Sequence, residues 1–138
     1  MLSVLRRNYS RLVFFPQGLY DTDYLRSLGS TDGMDILPAT VDAYEAFLSQ
    51  NPHTDYVGTR FHGGIFAMRH KARCVLLSVD ERMNDMKASV PQNILPRSAV
   101  GDLLEEKLRQ PICTTVELDF DAIRTWKDQF ADHKEEYC

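Results

Sequence analysis

A nearly continuous run of apolar residues, from Cys74 to Val79, constrains the fold more than any other part of the sequence. Strands that are apolar at successive positions are typical of parallel sheets with both faces covered, whereas strands with one face in water alternate apolar and polar residues. Neighbouring parallel strands must be joined by a crossover, which is usually a helix. The run therefore predicts a chain in which strands and helices alternate.

The rest of the sequence follows that alternation, with a basic start predicted to be frayed and a loop predicted at 90–96. Thr40 is a predicted N-cap, since the residues behind it place Tyr44 and Leu48 on one helical face. Further strands are predicted at 11–15, 34–37 and 55–59, and helices at 21–28, 41–50, 63–70, 80–87, from a cap at Ser98 to Pro111, and at 119–133. This order predicts an α/β fold, a Rossmann-like parallel sheet with flanking helices.

Length and charge limit the functions open to this chain. Its 138 residues suit a single domain over 1–138, with residues 134–138 expected to be a mobile tail. A net charge of -4 argues against nucleic-acid binding, which normally needs a basic face. No apolar stretch is long enough to cross a bilayer or to act as a signal peptide. We therefore expect a soluble, cytoplasmic protein with no transmembrane segment.

The cysteines indicate neither a disulfide framework nor a metal centre. Cys74, Cys113 and Cys138 are odd in number, far apart and without the spacing of zinc ligands. We expect reduced thiols, with Cys74 in the core, and no metal site.

The segment from Gly58 to Met68 carries the clearest chemistry. It places Arg60 and His62 between a predicted strand end and a predicted helix start, where parallel α/β folds bind ligands. The first amides of a helix lack internal partners and suit an anion, and an arginine can hold a phosphate or carboxylate through two hydrogen bonds. A histidine at such a position can donate or accept a proton near neutral pH. The alternative is that both side chains only make structural hydrogen bonds.

Three other features have a structural and a functional interpretation. The basic run Arg69 to Arg73 is either an exposed helix end or a phosphate patch. The pair Gln17 and Gly18 is either a turn or a ligand loop. Trp126 lies at helical spacing with apolar neighbours, which favours core or interface over a platform for sugar stacking.

The segment Asp55 to Gly63, with its Arg-x-His element, resembles the polysaccharide pyruvyl transferase family. The family typically continues with an apolar strand and an acidic, Asp-x-Arg-like element, and here Asp80-Glu81-Arg82 follows the run that ends at Val79. Met86 and Pro91 also fall where that pattern has an apolar residue and a proline. The likeness covers residues 35–96 well, with a departure at 70–73, where many members have a Gly-x-Pro turn.

The resemblance implies transfer of a pyruvyl group from phosphoenolpyruvate, the donor substrate, to a pair of sugar hydroxyls as a ketal, in exopolysaccharide or other cell-surface glycan biosynthesis. It implies one half of a glycosyltransferase-B type fold, the C-terminal half, with no further cofactor. Arg60 would bind the donor's phosphate or carboxylate, and His62 would bind the donor and act as acid or base. The residues expected to support substrate binding are Thr59, Gly63, Gly64, Asp80 and Arg82; the charges of the last two are otherwise a solvated turn or a local ion pair.

The expected partners are phosphoenolpyruvate, a glycan or glycan-precursor acceptor, and an N-terminal half-domain or second copy that completes the cleft. The isolated chain is expected to be inactive. Two rival functions stay open: a non-catalytic interaction module, and a glycosyltransferase-like domain that binds a nucleotide sugar.

Overall fold

The computed structural model describes residues 1–29, 31–79, 83, 94–112, 114–115 and 118–130. A short 3-10 turn, Arg97–Ala99, leads into the penultimate helix. In chain order the helices and strands are α1 Leu2–Asn8, β1 Leu12–Phe14, α2 Asp21–Ser27, β2 Met34–Ile36, α3 Val41–Gln50, β3 Asp55–Gly58, α4 Phe61–Arg69, β4 Arg73–Ser78, β5 Ile94–Pro96, α5 Val100–Arg109 and α6 Phe120–Asp128.

All the described strand pairs are parallel, as the run at Cys74 to Val79 predicts. β1 pairs with β2, with Val13 opposite Asp35, and β4 pairs with β3 on one side and β5 on the other. The Rossmann-like α/β prediction is confirmed.

Side-chain contacts link the residues on either side of β1 to β3, although no ladder joins these two described strands. Tyr9, ahead of β1, donates from its hydroxyl to Oδ2 of Asp55 at the start of β3, at 2.6 Å. Gln17, beyond β1, reaches the hydroxyl of Tyr56. Beyond the two strands, the guanidinium of Arg60 contacts Asp21, so the loops that follow β1 and β3 meet.

The residues of β4 face two opposite cores. Val75 and Leu77 pack with α1 and α5, against residues such as Val4 and Leu104. Cys74 and Leu76 pack on the other face, with α4. Helices therefore cover both faces of the sheet, which is why β4 is apolar at successive positions.

A third core cluster joins α3 to α4. Tyr44 and Leu48 of α3 pack with Ala67 of α4, and the ring of Tyr44 stacks on Phe15 with centroids 4.1 Å apart. The predicted cap at Thr40 is confirmed, because its side chain accepts a hydrogen bond from the Ala43 amide.

Several predicted boundaries are wrong. The start predicted to be frayed is helix α1, held by burial of Val4, and the segment predicted as a loop contains β5. α4 begins at Phe61, two residues earlier than predicted, and Ala99 rather than Ser98 is the cap of α5. The helix predicted at 80–87 and the tail at 134–138 lie outside the described residues, apart from buried Met83.

Within the described ranges, none of the helices has the length and apolar character needed to cross a bilayer.

Candidate functional site

The loop after β1 and the loop after β3 meet beyond the carboxyl ends of these two strands. Arg60 is the N-cap of α4, and its Nη2 donates to Oδ1 of Asp21, the first residue of α2, at 2.9 Å. Oδ2 of Asp21 accepts hydrogen bonds from the amides of Gln17, at 2.9 Å, and Gly18, at 2.8 Å. One carboxylate therefore joins both loops.

The surroundings of Asp21 favour its charged form. Partial burial would raise the pKa of Asp21, but hydrogen bonds from the Gln17 amide, the Arg60 guanidinium and the Gly18 amide outweigh it and lower that pKa below its ordinary value. Asp21 is thus an anion at neutral pH, already bound to three donors.

Two tyrosines hold the turn that carries Arg60. The hydroxyl of Tyr56 donates to the carbonyl oxygen of Arg60 at 2.8 Å and lies 3.4 Å from Nε2 of Gln17. The buried hydroxyl of Tyr44 donates to the carbonyl oxygen of Gly63 at 3.1 Å. Burial raises the pKa of Tyr56 to about 12, so its hydroxyl keeps its proton at neutral pH. The first turn of α4 is fixed by side chains of α3 and β3.

Gly63 and Gly64 are buried under side chains of the chain itself. A Cβ on Gly63 would lie 2.5 Å from Oε1 of Gln17, and a Cβ on Gly64 would lie 2.5 Å from Cδ2 of Leu76. The amide of Gly64 donates to the carbonyl oxygen of Arg60 at 3.2 Å, so it is already used by the helix. The amide of Gly63 belongs to the first turn, whose N–H groups have no partner inside a helix.

Both candidate catalytic side chains face solvent. The side chain of Arg60 is 56% exposed, and Asp21 takes one edge of its guanidinium. His62 is exposed in the first turn of α4, and its ring meets the edge of Phe61 with centroids 5.8 Å apart. Among the described residues, His62 has no hydrogen bond or ion pair. Thr59 is exposed in the same loop.

The structure disperses the basic run instead of forming a patch. The guanidinium of Arg69 lies over the ring of Phe66, 5.5 Å from its centroid, and His70 lies 3.9 Å from Glu45. Arg73 begins β4, where its Nε lies 3.5 Å from Oδ1 of Asp55 at the amino edge of the sheet. These side chains are therefore not gathered around Arg60.

The remaining predicted site residues, Asp80 and Arg82, lie outside the described residues. In the part of the chain that is described, no three His, Cys, Asp or Glu side chains gather as metal ligands. An open groove of about 400 Å³ lies beside Arg11 and Phe47, and its lining includes neither Arg60 nor His62. The candidate site is an exposed edge of the sheet.

Cys74 is buried in β4, as predicted. Burial raises the pKa of its thiol to about 12, so the sulfur stays protonated and acts as an apolar core group.

The comparisons with known proteins give no independent identification. No protein-family model, curated protein or solved structure matches this chain. The resemblance to the pyruvyl transferase family thus stays a prediction based on the Asp55 to Gly63 segment and the elements after it.

Asp21 and the two tyrosines are site residues that sequence reasoning missed. Asp21 follows Gln17 and Gly18 by four and three residues, a spacing at which a carboxylate at a helix start can accept from the loop amides behind it. The sequence therefore indicates the contact of Asp21 with these loop amides. It does not indicate the contact of Asp21 with Arg60, since 39 residues separate the two.

Proposed function

We propose that this chain is the donor-binding domain of a polysaccharide pyruvyl transferase-like enzyme. The proposal is supported by one observation above all: Arg60 and His62 follow β3 at the edge where the loops after β1 and β3 meet. Parallel α/β folds bind ligands beyond the carboxyl ends of their strands.

Arg60 is suited to hold the phosphate or carboxylate of phosphoenolpyruvate. Its remaining N–H donors can form two parallel hydrogen bonds to an anion, and the first amides of α4, including that of Gly63, add the positive end of the helix dipole. Thr59 lies close enough in the chain to support the same contacts. Asp80 and Arg82 remain proposed ligand contacts from the motif alone.

His62 is the proposed acid and base. As one sugar hydroxyl adds to the carbon that bears the phosphate, the imidazole donates a proton to the methylene carbon, which becomes a methyl group, and recovers a proton from the hydroxyl. The second hydroxyl then displaces phosphate and passes its proton to it, giving the ketal and inorganic phosphate. An exposed edge cannot exclude water from this reaction, so we propose that an N-terminal half-domain or a second copy supplies the other wall.

The proposal is tested by titrating phosphoenolpyruvate into the purified chain and into Arg60→Ala and His62→Ala, with calorimetry and circular dichroism. Arg26→Ala is the control for Arg60, since Arg26 is also an exposed arginine paired with an aspartate. His53→Ala, also exposed, is the control for His62.

We expect Arg60→Ala to bind phosphoenolpyruvate about tenfold more weakly or worse, because it loses one charge-assisted contact. The affinity of either control variant should not change. His62→Ala should weaken donor binding or abolish turnover once the cleft is complete. Unchanged binding and turnover in a folded variant would reject that residue's role. A parallel titration with a uridine-diphosphate sugar distinguishes the pyruvyl transferase function from the nucleotide-sugar function. Binding of the uridine-diphosphate sugar but not of phosphoenolpyruvate would indicate the nucleotide-sugar function.

A second candidate function is an interaction module, and the exposed apolar face of α6 favours it. Within the helix, Phe120 is 67% exposed and Trp126 59%, and Phe130, just beyond its end, is 57% exposed. Failure of the chain to bind either anion, in a folded state, would favour this function.

A further inference from the structure

The carboxylate of Asp21 binds the guanidinium of Arg60 in this structure. It accepts hydrogen bonds from the same donors that an incoming anion would need. Its Oδ1 accepts from the guanidinium, and its Oδ2 accepts from the amides of Gln17 and Gly18. Backbone amides and an arginine are the groups that hold phosphate and carboxylate ligands in proteins. The bound group here is the chain's own carboxylate.

An anion that approaches Arg60 therefore meets a negative charge. Like charges a few ångströms apart repel, and the repulsion is stronger at a partly desolvated surface than in bulk water. The side chain of Asp21 is only 24% exposed, so solvent screens this charge less than it screens Arg60.

The contact between Asp21 and Arg60 is nevertheless one that a ligand can break. Ion pairs with an exposed partner contribute little to stability, and more than half of the Arg60 side chain faces water. Asp21 is the first residue of α2, so its side chain can rotate outward without disturbing the helix ladder.

We infer that Asp21 is an internal competitor for the anion at Arg60, which a phosphate or carboxylate ligand must displace before it engages the guanidinium fully. This inference rests on the anion site of the proposed function and adds its regulation. Displacement would also release the amides of Gln17 and Gly18, so the loop after β1 would gain two donors for the ligand. If the contact of Asp21 with Arg60 were purely structural, removing the carboxylate would instead loosen the Arg60 side chain and weaken anion binding.

Asp21→Asn tests the inference with inorganic phosphate as the probe. Asparagine keeps an oxygen that can accept from the loop amides but removes the competing charge. We expect phosphate to bind about tenfold tighter to Asp21→Asn than to the natural chain. Asp23→Asn is the matched control: it changes the net charge equally and lies in the same helix, but Asp23 pairs with Arg26 instead. It should change the affinity less than about twofold.

Arg60→Ala supplies the second half of the test. The gain from Asp21→Asn should disappear in an Arg60→Ala background, because competition requires the shared guanidinium. The carboxyl carbon of Asp21, followed by NMR, should also titrate at a higher pKa in Arg60→Ala than in the natural chain, because one of the hydrogen bonds that lower it is lost.

NMR of the natural chain with phosphate tests the same inference without relying on the folding of any variant. Saturating phosphate should shift the carboxyl signal of Asp21 and the amide signals of Gln17 and Gly18, as the carboxylate leaves them. Equal or weaker phosphate binding in folded Asp21→Asn than in Asp23→Asn, or no phosphate binding by either chain, would overturn the inference. A tenfold gain without any pyruvyl transfer in the completed cleft would reject the proposed function and leave the competitor in place.

Discussion

At the scale of single residues, two adjacent glycines fix where the candidate site can form. Gly63 leaves room for the side chain of Gln17, and Gly64 leaves room for Leu76 and Cys74. The first contact brings the loop after β1 onto α4, and the second seats α4 on β4. Both positions therefore need glycine for close packing, before any ligand is considered.

Gly64→Ala should destabilise the domain. The new Cβ would lie 2.5 Å from Cδ2 of Leu76 and 2.8 Å from Sγ of Cys74, and overpacking of this kind costs about 1 to 3 kcal/mol. Replacing glycine by alanine in a helix stabilises by about 0.5 to 1 kcal/mol, so the net loss of stability should be roughly 0 to 2.5 kcal/mol. Urea unfolding measures it.

Gly101→Ala is the matched control, because Gly101 also lies in a helix but a Cβ there meets nothing within 4 Å. It should leave stability unchanged or raise it by up to about 1 kcal/mol. A Gly64→Ala chain as stable as the control would contradict the close packing of α4 on β4.

The candidate site could be predicted from the sequence only in part, for a reason visible at this same scale. Arg60 and His62 are found from local order alone, since a strand end followed by a helix start is legible in the chain. Asp21 and Gln17 join them only because the loop after β1 contacts Tyr56 and Arg60, and that contact depends on tertiary packing. Sequence spacing carries no signal for such a contact.

At the scale of elements, the apolar pattern of the sequence predicts a helix or strand correctly where its periodicity matches the face that is buried. The strand predicted at Cys74 to Val79 and the helix behind Thr40 agree with β4 and α3. α1 was missed because it lacks a side-chain cap and is held by the burial of Val4. β5 has only three residues and exists through its pairing with β4. α6 has the predicted apolar spacing, yet the face is exposed. A pattern shows that a face is apolar but not what covers it.

Neighbouring leucines in α5 test the placement of that helix. Leu104 is fully buried against β4, whereas Leu103 is 45% exposed. Leu104→Ala should lower the free energy of unfolding by about 2 to 5 kcal/mol, the usual cost of a large cavity. Leu103→Ala should change it by about 0.5 kcal/mol or less. Denaturant unfolding of both variants gives the answer, and equal losses would contradict the orientation of α5.

At the scale of the whole molecule, the candidate site lies on one exposed edge. Arg60 and His62 both face solvent, and the described groove beside Arg11 lies elsewhere. Water at such an edge screens the charge of a bound anion and weakens electrostatic stabilisation of a transition state. Nothing in the described part of the chain aligns an acceptor hydroxyl with a donor held at Arg60.

Binding and turnover should therefore separate in the purified chain. We expect weak binding of phosphoenolpyruvate and no transfer, because Arg60 can hold an anion alone but the reaction also needs an oriented acceptor and a site closed to water. The test measures phosphate release from phosphoenolpyruvate with a panel of galactosyl and mannosyl acceptors, alongside donor affinity and the molar mass in solution. Acceptor-dependent turnover by a verified monomer would overturn the expectation. Turnover that appears only in a dimer would mean that a second copy supplies the missing wall. The exposed aromatic face of α6 would then be the first surface to mutate. Its substitution should abolish the dimer and turnover together but leave donor binding at Arg60 intact.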